Sequence, residues 1–261
     1  MAETIRIETD ARGVATLWLA RGEKHNALSA AMMDELTAAA ARLGDDRAVR
    51  VVVLAGEGPT FCAGADLGWM ARQMRADAAT RRAEATRLAG MLGALNTLPK
   101  PLIGRIHGNA FGGGVGLMAV CDVAIGATGA RFGLTETRLG LIPATIGPYL
   151  LARTSEARAR RVILSARLFG AEEAVQLDLL AAAVAPGALD AAIEAEVAPC
   201  LAAAPGAMAE AKRLARALGP VIDSAVIGQS IDRLVAVWES EEAAEGIAAF
   251  LEKRPPRWAA G

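Results

Sequence analysis

Leu102-Ile103-Gly104-Arg105-Ile106-His107, followed by Gly108-Asn109-Ala110-Phe111 and then Gly112-Gly113-Gly114-Val115-Gly116-Leu117, decides the fold class. Residues 102–107 are a short apolar run introduced by Pro101, and they predict a strand. The glycines break that run, and the apolar residues beyond them predict a short helix to about Cys121. Three adjacent glycines at a helix entrance cost backbone entropy. In return, a ligand can approach the first N–H groups, at the positive end of the helix dipole, with no side chain in the way. Gly114-Val115-Gly116-Leu117-Met118-Ala119 also fits the loose dinucleotide pattern GxGxxA. The strand ends too early and the helix is too short for that pattern to weigh much.

Phe61-Cys62-Ala63-Gly64-Ala65-Asp66 has the same organisation upstream: an apolar run, a glycine, then a helix-like pattern that Asp66 can cap. Two such turns can aim two backbone N–H groups at one point, which is an oxyanion hole built without side chains. Glu136 follows in Phe132-Gly133-Leu134-Thr135-Glu136, just before the apolar Leu139-Gly140-Leu141-Ile142-Pro143. Apolar walls would destabilise a carboxylate and lift its pKa toward the range useful for proton transfer, although position alone fits a surface glutamate equally well. Two donors and one carboxyl group predict chemistry on a carbon next to a carbonyl, such as a thioester enolate.

Working outward, residues 5–8 and 14–19 read as strands joined by the turn 10–13. Ser29 caps a helix expected over 30–43, with Gly44 as its stop. Residues 51–54 are a fully apolar strand, and an arginine-rich helix is expected over 76–95, ended by Pro99 and Pro101. Residues 123–125 and 131–133 predict two more short strands. From Ala144 onward the pattern is helical, with only 181–185 strand-like. Strands and helices therefore alternate to about residue 140 and helices dominate afterwards: α/β with a helical tail. No linker or sequence repeat divides the chain.

The totals fit one large core: 261 residues, 53% hydrophobic but only 4% aromatic, rich in alanine and leucine. Net charge is −1 and the charges are interspersed, so no basic stripe for nucleic acid exists; the arginines of 153–167 read as a solvated helix face. Cys62, Cys121 and Cys200 are odd in number and far apart, which predicts free thiols in a reducing cytoplasm. Cys62 has no histidine near it in sequence and reads as a buried thiol; His25 and His107 have no partner at metal-ligand spacing, so no metal is expected. Asp122 reads as a turn cap. Met1 to Arg6 lack the apolar core of a secretory signal, and no apolar run approaches the ~18 residues that span a bilayer.

Taken together, these segments resemble the crotonase superfamily, the enoyl-CoA hydratases and isomerases, almost end to end. Arg21-Gly22-Glu23-Lys24-His25-Asn26-Ala27-Leu28 is similar to the family's CoA-contacting stretch, the two glycine turns to its oxyanion loops, and Phe250-Leu251-Glu252-Lys253-Arg254-Pro255 to its C-terminal helix. The resemblance implies stacked ββα units over 1–195 and a helical trimerisation region over 196–261, as a homotrimer or a hexamer of paired trimers. It implies oxyanion donors at the N–H groups of Ala65 and Gly113 and an acid/base at Glu136. It places Lys24, Ala27, Leu28, Ala63, Asp66, Leu67, Phe250 and Lys253 along CoA. Trp69, Met70, Phe111, Gly116 and Leu141 are expected around the acyl group.

CoA is then part of the substrate, and no other cofactor is implied. Two-glutamate hydratases of the family carry their first acid at the position of Gly116, and glycine cannot activate water. A lone glutamate also resembles the enoyl-CoA isomerases. Yet Leu134-Thr135-Glu136-Thr137-Arg138-Leu139-Gly140-Leu141-Ile142-Pro143-Ala144 is similar to bacterial hydratases of methylglutaconyl-CoA and related branched acyl-CoAs, which also show glycine there. The expectation is a hydratase, with Δ3,Δ2-isomerase and a non-catalytic acyl-CoA scaffold left open. Arg72, Arg75 and Arg138 read first as a solvated face, and second as candidates to meet a distal carboxylate on the substrate.

Overall fold

In the computed structural model, residues 4–259 are described. The chain opens with the hairpin β1 (Ile5–Thr9) and β2 (Val14–Leu19) and the helix α1 (Ala30–Asp45). Next come β3 (Val51–Gly56), β4 (Thr60–Cys62), α2 (Leu67–Arg75) and α3 (Ala78–Asn96). The glycine-rich unit is β5 (Leu102–Ile106), β6 (Asn109–Phe111) and α4 (Gly113–Val120). β7 (Val123–Ala127) and β8 (Arg131–Gly133) lead through a 3-10 turn, Glu136–Leu139, into α5 (Gly147–Thr154) and α6 (Glu156–Ile163). β9 (Leu168–Gly170), α7 (Ala171–Gln176) and β10 (Ala182–Val184) precede the helical tail: α8 (Leu189–Ala202), α9 (Pro205–Leu218), α10 (Ser224–Trp238) and α11 (Glu241–Leu251).

Two sheets result, ordered β1-β2-β3-β5-β7-β10 and β4-β6-β8-β9. The pairs β3/β4, β5/β6 and β7/β8 each give one strand to the first sheet and the next strand to the second. Within each sheet these neighbours run parallel, so every pair is one turn of a ββ spiral, and the expected α/β class holds. β3 is central and buried along its length. Val51 and Val53 pack with Leu189, Ile193 and Val197 of α8, while Val52 and Leu54 face the main core with α1, α3 and α4. A parallel strand covered on both faces reads as an unbroken apolar run, which is why 51–54 shows no alternation. The boundary between residues 195 and 196 falls inside α8.

Ser29 caps α1 as expected, but Gly44 does not end it. A side chain on Gly44 would meet the Pro99 ring at 3.1 Å, so the glycine lets the segment before β5 pack against a continuing helix. The arginine-rich helix forms as α3, starting two residues later than expected because the Asp77 side chain accepts from the Thr80 N–H and caps it. α9 buries only Ala209. It is tethered by Lys212, which bonds Asp122 at 2.7 Å and the Lys100 carbonyl at 3.2 Å, and by Arg216, which bonds the Asn96 carbonyl. Asp122 accepts the Leu102 N–H as well, so it ties the start of β5 to the segment before β7 rather than capping a turn. No described helix is long and apolar enough to cross a membrane.

Candidate active site

The two glycine turns are held together by backbone geometry. Gly64 has φ +87°, and a side chain there would come within 2.7 Å of the Phe111 carbonyl. Gly114 lies against the Cys62 carbonyl, 2.4 Å from where its Cβ would be. Glycine is therefore required at both, because each lets the β4 turn and the α4 entrance touch. Gly114 and Gly116 serve packing in this way, which removes the dinucleotide reading of GxGxxA.

Leu28 forms a parallel bridge with Ala65: its N–H donates to the Gly64 carbonyl at 2.7 Å, and its carbonyl accepts the Asp66 N–H at 3.1 Å. The intervening Ala65 N–H is thereby turned away from the bridge. Gly113 is the first residue of α4, where a helix leaves its N–H without an intrahelical acceptor. Neither N–H has a hydrogen-bond acceptor among the described residues.

The loop before this bridge is pinned by Asn26, which is fully buried. Its Oδ1 accepts the Arg21 N–H, and its Nδ2 donates to the carbonyls of Glu57 and Thr60, both at 2.8 Å. The Arg21 guanidinium donates to the Ala27 carbonyl and to Asp66 at 3.1 Å. Burial pushes the Asp66 carboxyl up, but bonds from the Trp69 N–H and Arg21 outweigh it and hold the group below its ordinary value. Asp66 thus stays charged, caps α2 and fixes the turn bearing Ala65.

Glu136 opens the 3-10 turn that follows β8. Its Oε1 lies 3.0 Å from the point a Cβ on Gly112 would occupy, and Gly112 has φ +48°. Its Oε2 is buried with no hydrogen-bond partner. Burial lifts the carboxyl from 4.5 to about 7, opposed only by its own backbone N–H. The group sits where a proton can be held or released near neutral pH.

These elements meet at one cavity of about 410 Å³. Of the expected residues, Glu136, Ala65, Gly113, Leu28, Ala63, Leu67, Phe250, Trp69, Met70, Phe111 and Leu141 line it. Lys24, Ala27, Asp66 and Lys253 lie off its wall. Gly116 corrects the expectation for the acyl wall: it is buried inside α4, and Ile146 covers it, with Cγ2 2.6 Å from where a Cβ would stand. Ile146 itself lines the cavity, as do Leu88, Leu234 and Trp238, none of which the sequence pattern singled out. Trp238 had the one available signal, being one of four tryptophans, at the end of an amphipathic helix.

Arg138 also lines the cavity, and its side chain has no carboxylate partner among the described residues; Arg72 and Arg75 are off the wall. The Cys62 thiol is buried and pushed up to about 12, so it is no nucleophile at neutral pH. His25 bonds Thr60 and His107 bonds the Gly58 carbonyl, both structural. A larger hollow of about 580 Å³ lies beneath α9 and holds neither glycine turn nor Glu136. Among the described residues no cluster of histidine, cysteine or carboxylate groups could hold a metal.

The profile of the enoyl-CoA hydratase/isomerase family matches residues 9–261. The chain belongs to that family. An enoyl-CoA hydratase from Mycobacterium avium superposes with a TM-score of 0.85 at 33% identity, over 99% of this chain and all of that one. One from Shewanella pealeana superposes at 0.80 with 36% identity, over 98% of this chain and 96% of its own. The mitochondrial methylglutaconyl-CoA hydratase of Mus musculus is 32% identical over 265 residues, covering 97% of this chain and 81% of its own. The ββ spiral with its helical tail is the crotonase fold, and this hydratase/isomerase family member is an enzyme.

Proposed function

We propose that this enzyme adds water to a 2-enoyl-CoA thioester, with the N–H groups of Ala65 and Gly113 holding the thioester oxygen and Glu136 moving the protons. The observation that carries this reading is the placement of one elevated, unpartnered carboxyl group in the same cavity as two free N–H donors. As water oxygen bonds C3, the C2=C3 pair shifts toward the carbonyl and negative charge gathers on the thioester oxygen. Each donor aimed at that oxygen is worth ~3 kcal/mol of transition-state stabilisation. The protonated Glu136 gives its proton to C2 while its other oxygen accepts one from the water. Water is thereby added across the double bond, and the carboxyl group ends protonated as it began. Replacing Glu136 by Gln removes this relay, and turnover of a trans-2-enoyl-CoA then falls by at least ~100-fold. The assay is loss of the conjugated-enone ultraviolet band; near-full activity in that variant rules the role out.

A second reading rests on Ile146 filling the space beside Gly116, which leaves Glu136 as the one carboxyl group on the cavity wall among the described residues. One carboxyl suffices to carry a proton between C2 and C4, which would convert a 3-enoyl thioester to the conjugated form. Binding without turnover of either substrate would mark a scaffold instead.

The finer assignments follow the same scheme. Arg138 is the cationic side chain on the wall, and it suits an acyl group ending in a carboxylate, as the name of the mouse relative implies for that protein. Lys24, Ala27, Asp66 and Lys253, off the cavity wall, are assigned to the CoA moiety beyond its mouth, and Phe250 to the mouth. CoA enters as part of the substrate, and the scheme calls on no other cofactor. The helical region 196–261 is assigned to assembly as a trimer or paired trimers; the exposure of Leu214, Leu218 and Val221 supports this. Three unbridged cysteines suit a cytoplasmic setting.

A further inference from the structure

Among the described residues the Glu136 carboxyl has no side-chain anchor. Its Oε2 is unpartnered, and the carboxyl group accepts from its own backbone N–H. The direction of the carboxyl group is therefore set by the backbone of the turn Glu136–Leu139. That turn is short. Its own bonds run from the Arg138 N–H to Thr135, from the Gly140 N–H to Thr137 and from the Leu141 N–H to Glu136. The Thr137 hydroxyl adds one bond to the Ile163 carbonyl.

The turn rests on α11, backbone against backbone, in both directions. A Cβ on Gly246 would stand 2.4 Å from the Leu139 carbonyl carbon and 2.5 Å from its oxygen. A Cβ on Gly140, at φ +66°, would stand 2.4 Å from the Glu242 carbonyl. Each glycine is the notch that receives the other segment. Gly246 sits in the middle of a helix, where glycine weakens it relative to alanine. Close approach to Leu139 is what the missing side chain permits. Around the notch, Leu141, Trp238, Ala243 and Ile247 form a buried cluster that leaves little room to adjust.

Resting on the assignment of Glu136 as the acid/base, we infer that Gly246 is a positioning residue for the reaction: through the Leu139 backbone, α11 sets the direction of the Glu136 carboxyl group. The same helix carries Phe250 to the cavity, so substrate contact and acid placement share one rigid element. Of the charged groups near this turn, Arg138 on the turn lines the cavity. Glu241, Glu242 and Glu245 of α11 do not, and Glu245 is bound by Arg254 at 2.7 Å.

The test is Gly246→Ala beside Glu136→Gln and a control, Gly228→Ala in α10, where an added Cβ meets nothing within 4 Å. Steady-state kinetics over about pH 5–9 are measured with a trans-2-enoyl-CoA on soluble, folded protein. Gly246→Ala should lower kcat ~100-fold, since a misplacement of about 1 Å costs that much. KM should rise by much less than kcat falls, since Phe250 rides the same helix, and the pH midpoint of kcat should fall below about 7 as water reaches Oε2. Gly228→Ala should match the parent protein. Ser240→Ala frees the N–H of Ala243 at the start of α11 and should change kcat and the midpoint in the same direction by less. It decides the matter where Gly246→Ala does not fold. Parent-like kcat and midpoint in a folded Gly246→Ala, or failing that in Ser240→Ala, overturn the inference. Full activity in Glu136→Gln overturns the acid/base assignment instead.

Discussion

The buried carboxyl of Glu136 makes stability depend on pH in a direction opposite to that of a salt-bridged acid. Its pKa is about 7 in the folded chain, against 4.5 for an ordinary carboxyl. Between those values the folded chain holds a proton that the unfolded chain has released. Stability therefore falls as pH rises through this window, and levels off above it. A tenfold change in proton affinity corresponds to about 1.36 kcal/mol, so the whole effect approaches about 3 kcal/mol, of which about 2.5 kcal/mol falls between pH 5 and pH 8. Replacing Glu136 by Gln removes this group and leaves every other titration in place. The difference between the two proteins then isolates Glu136. We expect the variant to gain about 2 to 3 kcal/mol relative to the parent on going from pH 5 to pH 8. Urea unfolding at both pH values, at one fixed protomer concentration, measures it. Parallel pH dependences in the two proteins would mean that the carboxyl is solvated in the folded state, and the proton relay would lose its physical basis.

The same titration appears in the rate. The protonated carboxyl is the working form, so kcat/KM should fall above about pH 7; a rise through that pH would assign the ionised form to the reaction. Gly116→Ala drives a methyl into Ile146 and should cost about 1–3 kcal/mol of stability. Most of that cost should vanish in an Ile146→Ala background, as a double-mutant unfolding cycle would show. Arg138→Leu should depress kcat/KM for a 3-methylglutaconyl thioester at least ~10-fold more than for crotonyl-CoA, from the loss of one charge-assisted bond; equal effects would take Arg138 out of substrate selection.

The parts of the fold that were legible are those with a local cause. Ser29 and Asp66 cap the helices their positions predict, and Val51–Gly56 is apolar because both its faces are covered. The strands β4, β6 and β9 were not distinguished, since three residues carry no period. Gly44 misled because a glycine can serve a neighbour rather than a helix end. The carboxyl at 136 and the glycine turns were legible because they sit where strands give way to turns. Ile146 over Gly116, and the paired notches of Gly140 and Gly246, are contacts between segments roughly 30 to 100 residues apart, and no local pattern encodes them.

The loose seating of α9 has a consequence for how the chain reports its own surroundings. With Ala209 as its only buried residue and three polar tethers, the helix opens at little free-energy cost while the rest of the chain stays folded. Its backbone amides should therefore exchange with deuterium early, well ahead of those in β3. If the proposed assembly covers Leu214 and Leu218, it must dissociate before the helix can open, and exchange then slows with occupancy by mass action. A dilution series followed by mass spectrometry would turn those amides into a gauge of how much of that face is covered at each concentration.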